Sequence, residues 1–148
     1  MNQLLQAGDR APALPLLEKI LAGGPALLAF FKVSCPVCQF TFPFLERIAK
    51  SGSMRVFGVS QDDAKASGRF AKEFGVTFPM LLDQEPAGYP ASNAFGVSTV
   101  PTLFLIDASG VVALSSEGFL KRDLADLGRR AGVEVFRQDE NVPEWKAG

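Results

Sequence analysis

The sequence predicts an α/β fold in which a mixed central sheet carries helices on both faces. Three observations lead there. Ala26–Phe31 is an unbroken apolar run of strand length, which suits a strand covered on both sides. Strand and helix patterns then alternate twice, the order that builds parallel strands with crossover helices. Finally, Thr102–Ile106 and residues 111–114 are joined by Asp107-Ala108-Ser109-Gly110, too short for a crossover, so they form an antiparallel hairpin.

Each element has a local reason. Residues 8–15 are irregular because Pro12 and Pro15 fix φ and remove donors. Leu16, Leu17, Ile20 and Leu21 share one face of a short helix that Gly23-Gly24-Pro25 ends. After the central strand, Val37, Phe44, Leu45 and Ile48 recur at roughly helical spacing, and Pro43 is expected to kink that helix. Residues 54–60 read as a second strand. Asp62 or Asp63 caps the next helix, which carries Ala66, Phe70 and Phe74 and stops at Gly75. A short strand within 76–82, a loop over 85–90 and a short helix over 91–95 follow. Leu120, Leu124, Leu127 and Ala131 stripe a last helix closed by Gly132. Residues 1–132 thus make one domain, and 133–148, which has no period, is expected as a surface tail.

At 148 residues the chain is one compact unit, and 47% hydrophobic with 21% charged residues suits a packed core. Thirteen Phe against one Trp and one Tyr predict a phenylalanine-rich interior. A net charge of −1 supplies no basic field, so nucleic acid is not expected as a partner. The chain has no histidine, which excludes Ser-His-Asp and Cys-His catalysis and the usual zinc sites. The start of the sequence lacks the pattern of a secretory signal, so a cytoplasmic protein is expected as written, or a periplasmic one if a signal was removed.

The two cysteines carry the chemistry. Cys35-Pro36-Val37-Cys38 stands where the central strand turns into a helix. Unpaired N–H groups and the positive helix end favour a thiolate at the first sulfur, the form that attacks disulfides. Cys35 is therefore expected as the nucleophile. Cys38, about one turn later and further inward, is expected to resolve the mixed disulfide. Pro36 suits a first helical turn, where its missing N–H would have had no partner. Two ligands without histidine do not make a metal half-site, and no metal or other cofactor is expected.

These residues resemble the thioredoxin superfamily. Cys35-Pro36-Val37-Cys38 is similar to its active-site motif, Pro43 to its kinking proline, and Val100-Pro101-Thr102 to its cis-proline loop. Gly8-Asp9-Arg10-Ala11-Pro12, Phe57-Gly58-Val59-Ser60, Phe78-Pro79-Met80-Leu81-Leu82-Asp83 and the stretch from Phe104 to Gly110 resemble the redoxin branch. That branch includes TlpA- and ResA-type reductases and peroxiredoxins of the AhpC/TSA kind. The resemblance covers roughly residues 8–131. It implies a thioredoxin-like fold and a thiol-disulfide oxidoreductase with antioxidant activity. It also implies a cis Pro101 packed beside the cysteines, with Pro36, Val37, Val100 and Pro101 facing the substrate. Its partners would be a protein disulfide or dithiol substrate and an electron-donor reductase, and the protein would act as a monomer.

The departures are specific. Ser34 and Ala29 stand where thioredoxin has a Trp and a buried Asp, and Thr41 stands where ResA-type proteins have a Glu, so Cys38 lacks an evident proton acceptor. Lys32 is a candidate for lending positive charge to Cys35, and Glu46 is expected to face solvent. The peroxiredoxin motif Pro-x-x-x-Thr-x-x-Cys, read back from Cys35, meets Leu28 and Lys32 instead. Thiol-disulfide exchange is the leading expectation, with a thiol peroxidase and a non-enzymatic binding module as alternatives.

Overall fold

The computed structural model describes residues 3–148. Its main sheet has five strands, in spatial order β3 (Met80–Leu82), β2 (Arg55–Ser60), β1 (Ala26–Phe31), β4 (Thr102–Ile106) and β5 (Val112–Glu117). The central strand β1 (Ala26–Phe31) is buried at every position, as its unbroken apolar run requires. β2 (Arg55–Ser60) pairs parallel with β1, and β3 (Met80–Leu82) parallel with β2. On the other side β4 (Thr102–Ile106) runs antiparallel to β1, and β5 (Val112–Glu117) antiparallel to β4. The sheet is mixed, and the hairpin lies where the short 107–110 link requires it.

Helices cover both faces because successive β1 side chains alternate. Leu27, Ala29 and Phe31 face α2 (Pro36–Lys50), α3 (Ala64–Phe74) and α5 (Lys121–Ala131). Leu28 and Phe30 face α1 (Pro15–Ala22) and α4 (Pro90–Phe95). Phenylalanine dominates both layers: Phe42 lies against Phe31, Phe70 and Phe78, while Phe30, Phe95 and Phe104 form a triad on the opposite face. Such tilted and edge-on pairs fill space with no polar group to satisfy. The crossovers over α2 and α3 bring the chain from β1 to β2 to β3 on one face. The stretch through α4 then returns it to β4 beside β1, so the loop before β4 meets the loop that follows β1.

α2 spans Pro36–Lys50 with Pro43 inside it, where the sequence reading placed it. Several other elements differ from that reading. β3 is confined to three residues, and residues 85–87 make a 3-10 turn. β5 extends to Glu117, and a further two-residue strand β6 (Phe119–Leu120) precedes α5. Residues 133–148, expected as a surface tail, are held to the rest of the chain at several points. Val135 is 2% exposed, Phe136 stacks on Phe44, and β7 (Trp145–Lys146) pairs antiparallel with β6. Glu46, expected in solvent, is buried, because its carboxylate accepts both the N–H and the hydroxyl of Thr77. Among the described residues no helix is long and apolar enough to cross a membrane.

Candidate active site

β1 ends at Phe31, and four residues later Cys35 caps α2 in an extended conformation. The Cys35 sulfur accepts the Cys38 backbone N–H at 3.1 Å, so it fills the place a Ser or Asp side chain takes at an ordinary helix start. Pro36 occupies the first turn, where its missing N–H leaves no gap in the helix. Cys35 is partly exposed and Cys38 fully buried, and both are free thiols. Burial pushes the Cys38 thiol up strongly, and its contact with Cys35 adds to this. The two sulfurs therefore stand in opposite environments: one open to a partner at a helix amino end, one held as a neutral thiol in the core.

Two side chains hold the preceding loop. The Val33 N–H donates to Asp62 Oδ2 at 2.8 Å, and the Val33 carbonyl accepts from Gln39 Nε2 at 2.9 Å. Asp62 was a candidate helix cap; Asp63 takes that task, accepting from the Ala66 N–H at 2.8 Å. Sequence reasoning missed the Asp62 contact. A second acid beside a sufficient cap was the available signal. Gln39 and the tail left no comparable mark.

Across from Cys35, the Val100–Pro101 peptide bond is cis, and the Cys35 thiol donates to the Val100 carbonyl at 3.5 Å. That loop is fixed from beneath: buried Thr102 donates its hydroxyl to the Thr99 carbonyl at 2.7 Å, and the Gly118 N–H donates to the Pro101 carbonyl at 2.7 Å. Cys35, Lys32, Gln61, Thr99, Val100 and Gly148 line an open cleft of about 490 Å³. Pro36 is exposed beside it, and Val37 is partly buried against the core. The structure thus brings Cys35, Pro36, Val100 and Pro101 to one edge, with Cys38 beneath.

Lys32 is exposed and is the charged side chain of that cleft among the described residues. Thr41 is fully buried and donates its hydroxyl to the Val37 carbonyl at 2.7 Å, so it acts within its own helix. Ala29 packs in the same apolar cluster as Cys38 and brings no titratable group to it. Among the described residues no arginine lines the cleft, and no cluster of three or more His, Cys, Asp or Glu side chains could hold a metal ion.

The chain is similar to known proteins. The chain is 30% identical over 105 residues to a thiol-disulfide oxidoreductase ResA of Geobacillus kaustophilus, an alignment covering 68% of this chain and 59% of the relative. It is 29% identical over 116 residues to a thiol:disulfide interchange protein DsbE of Xylella fastidiosa, covering 78% and 58%. The chain therefore spans a little under three-fifths of the length of these relatives. Among solved structures, the thioredoxin domain of a thiol-disulfide oxidoreductase from Bacteroides vulgatus superposes with a TM-score of 0.69 at 19% identity. That alignment covers 82% of this chain and 94% of the other, and the shared fold is the thioredoxin fold. The AhpC/TSA family model matches residues 16–115, a stretch that contains β1, both cysteines and the cis-proline loop, and the chain belongs to that family.

Proposed function

We propose that the protein is a thiol-disulfide oxidoreductase that reduces protein disulfides, with Cys35 attacking and Cys38 resolving. The observation that carries this reading is the contrast between the two sulfurs. Cys35 is partly exposed at a helix start and borders an open cleft, while Cys38, one turn on, is buried with its thiol pushed up. The names of the ResA and DsbE relatives agree with it.

In this reading the Cys35 thiolate attacks one sulfur of the substrate disulfide, and the other sulfur leaves as a thiolate. Cys38 then attacks the Cys35 sulfur of the mixed disulfide. Its proton passes to the departing substrate thiolate, and the protein is left with a Cys35–Cys38 disulfide while the substrate gains two electrons, one proton from Cys38 and, at the sulfur that left first, one proton from solvent. Protonated Cys38 does not compete for the first attack. Half-buried Val100, beside Pro36 and the buried Pro101, offers backbone groups to a substrate chain. An electron-donor reductase returns the dithiol state, and a monomer suffices because one chain supplies every group named.

The expected direction is reduction. Val37 offers no donor or charge to an anion at Cys35, so the reduced form lacks added side-chain stabilisation from within the motif. The potential is expected nearer to thioredoxin's roughly −270 mV than to the roughly −120 mV of a dedicated oxidant. Equilibration of the couple in glutathione buffers tests this. A value on the oxidising side of the midpoint reverses the direction but not the cysteine roles.

A further inference from the structure

Residues 133–148 carry a feature that the exchange chemistry does not use. They are anchored at one end and lightly held at the other. The anchor is Val135, buried in the core, and Phe136, stacked on Phe44 at 4.9 Å. Arg47 clamps the Glu140 carboxylate through two bonds of 2.7 Å and also donates to the Val135 carbonyl at 2.7 Å. Beyond this the chain crosses the surface. The Lys121 N–H donates to the Glu144 carbonyl at 2.9 Å, Trp145 and Lys146 pair with Leu120 and Phe119, and the Lys146 ammonium lies 5.0 Å over the Phe40 ring. A two-residue, exposed ladder is a weak hold.

That ladder delivers residue 148 to the active-site cleft. Gly148 is one wall of it, together with Cys35 and Val100. The approach is close: a methyl group on Gly148 would overlap the Val100 carbonyl oxygen and lie 2.8 Å from Thr99 Oγ1. Gly118, where β5 passes into β6, is equally tight, with the Lys146 carbonyl oxygen 2.7 Å from where its methyl would be. The segment covers the backbone edge at Val100 and leaves Cys35 itself partly exposed.

We propose that residues 142–148 are a strap that sets the substrate class of the dithiol site: small disulfides reach Cys35 directly, whereas an extended protein chain must first displace the strap from Val100. This rests on the exchange reading given above. The strap competes for backbone groups that a small disulfide does not need, so it lowers the apparent affinity for polypeptides by the fraction of time it is seated.

The test uses the full chain, its Lys146→Pro variant and two disulfides, insulin and 2-hydroxyethyl disulfide. Proline has no N–H to give to the β6–β7 ladder, and Lys146 is exposed, so the core is untouched. Trp145 is the chain's one tryptophan, so its fluorescence anisotropy reports whether the strap is held. With the strap released, kcat/KM for insulin is expected to rise about tenfold while that for the small disulfide stays within about twofold. Lys146→Ala, which gives up the ammonium over the Phe40 ring, is expected to shift the insulin rate in the same direction without a proline. Equal changes on both disulfides overturn the proposal. So does an unchanged insulin rate when anisotropy has fallen, or anisotropy unchanged in both variants. If the unaltered protein turns over neither disulfide, the exchange reading fails first, and the strap proposal with it.

Discussion

Asp62 accepts the backbone N–H of Val33 at 2.8 Å, tying the loop that presents Cys35 to the start of α3, 29 residues away in sequence. An Asp62→Ala variant leaves that donor without its partner. The reduced protein is expected to lose about 1.5–3 kcal/mol in urea denaturation, the range for a hydrogen bond to a charged group. Insulin reduction is expected to slow as well, because the loop before Cys35 loses one of its two ties. Asp62→Asn recovers most of the loss, since an amide oxygen still accepts.

The buried thiol of Cys38 sets a pH dependence. Burial, then the contact with Cys35, raises it above the ordinary ~8.5 of a cysteine. A raised folded value stabilises the fold below the unfolded pKa, and that contribution is lost as pH rises beyond it. The reduced protein is therefore expected to lose stability above about pH 8.5 more steeply than Cys38→Ala. Below that pH, iodoacetamide followed by peptide mass analysis should find Cys35 alkylated and Cys38 untouched.

Acid acts on the anchor of residues 133–148. The Arg47 guanidinium, with the Arg137 N–H, holds the Glu140 carboxyl down to about 2. A lowered folded value contributes above the unfolded pKa of ~4.3 and is lost as pH falls from there towards the folded value. Trp145 anisotropy is expected to drop across that window as the anchor of residues 133–148 loosens. Glu140→Gln is expected to give a flat trace over the same range.

Phe42 is fully buried, with ring centroids of Phe31, Phe70 and Phe78 at 4.5, 5.4 and 5.6 Å. Phe42→Ala should cost about 3–5 kcal/mol with little change in the denaturant slope. Phe74, partly exposed at the end of α3, touches Phe70 and should cost less on truncation.

How much of this was legible depends on how local each cause is. The bounds of β1 and β4 follow from apolar runs that stop abruptly, and α3 from a capping Asp63 and a left-handed Gly75. The placement of the two cysteines, one at the helix start and one buried a turn on, was legible for the same reason, since strand end, cap and helix lie within a few residues. β5 was cut short because Ser115, Ser116 and Glu117 show no apolar alternation, yet they continue pairing with β4 through the backbone. Glu46 misled because charge predicts solvent, and its partner Thr77 is 31 residues away. The tail was read only as a surface segment without a period, because what holds it is Arg47, Phe44 and β6, all distant in sequence. The opposition of Val100 to Cys35 came from the family resemblance, not from periodicity.

The central claim is that Cys35 attacks and Cys38 resolves, and a trapping experiment tests it most directly. Cys38→Ser is incubated in its reduced state with a disulfide-bonded substrate protein and analysed by non-reducing mass spectrometry. The expected result is a stable covalent adduct through Cys35 that dithiothreitol dissolves, with no adduct from Cys35→Ser. An adduct that accumulates with Cys35→Ser and not with Cys38→Ser would contradict the account.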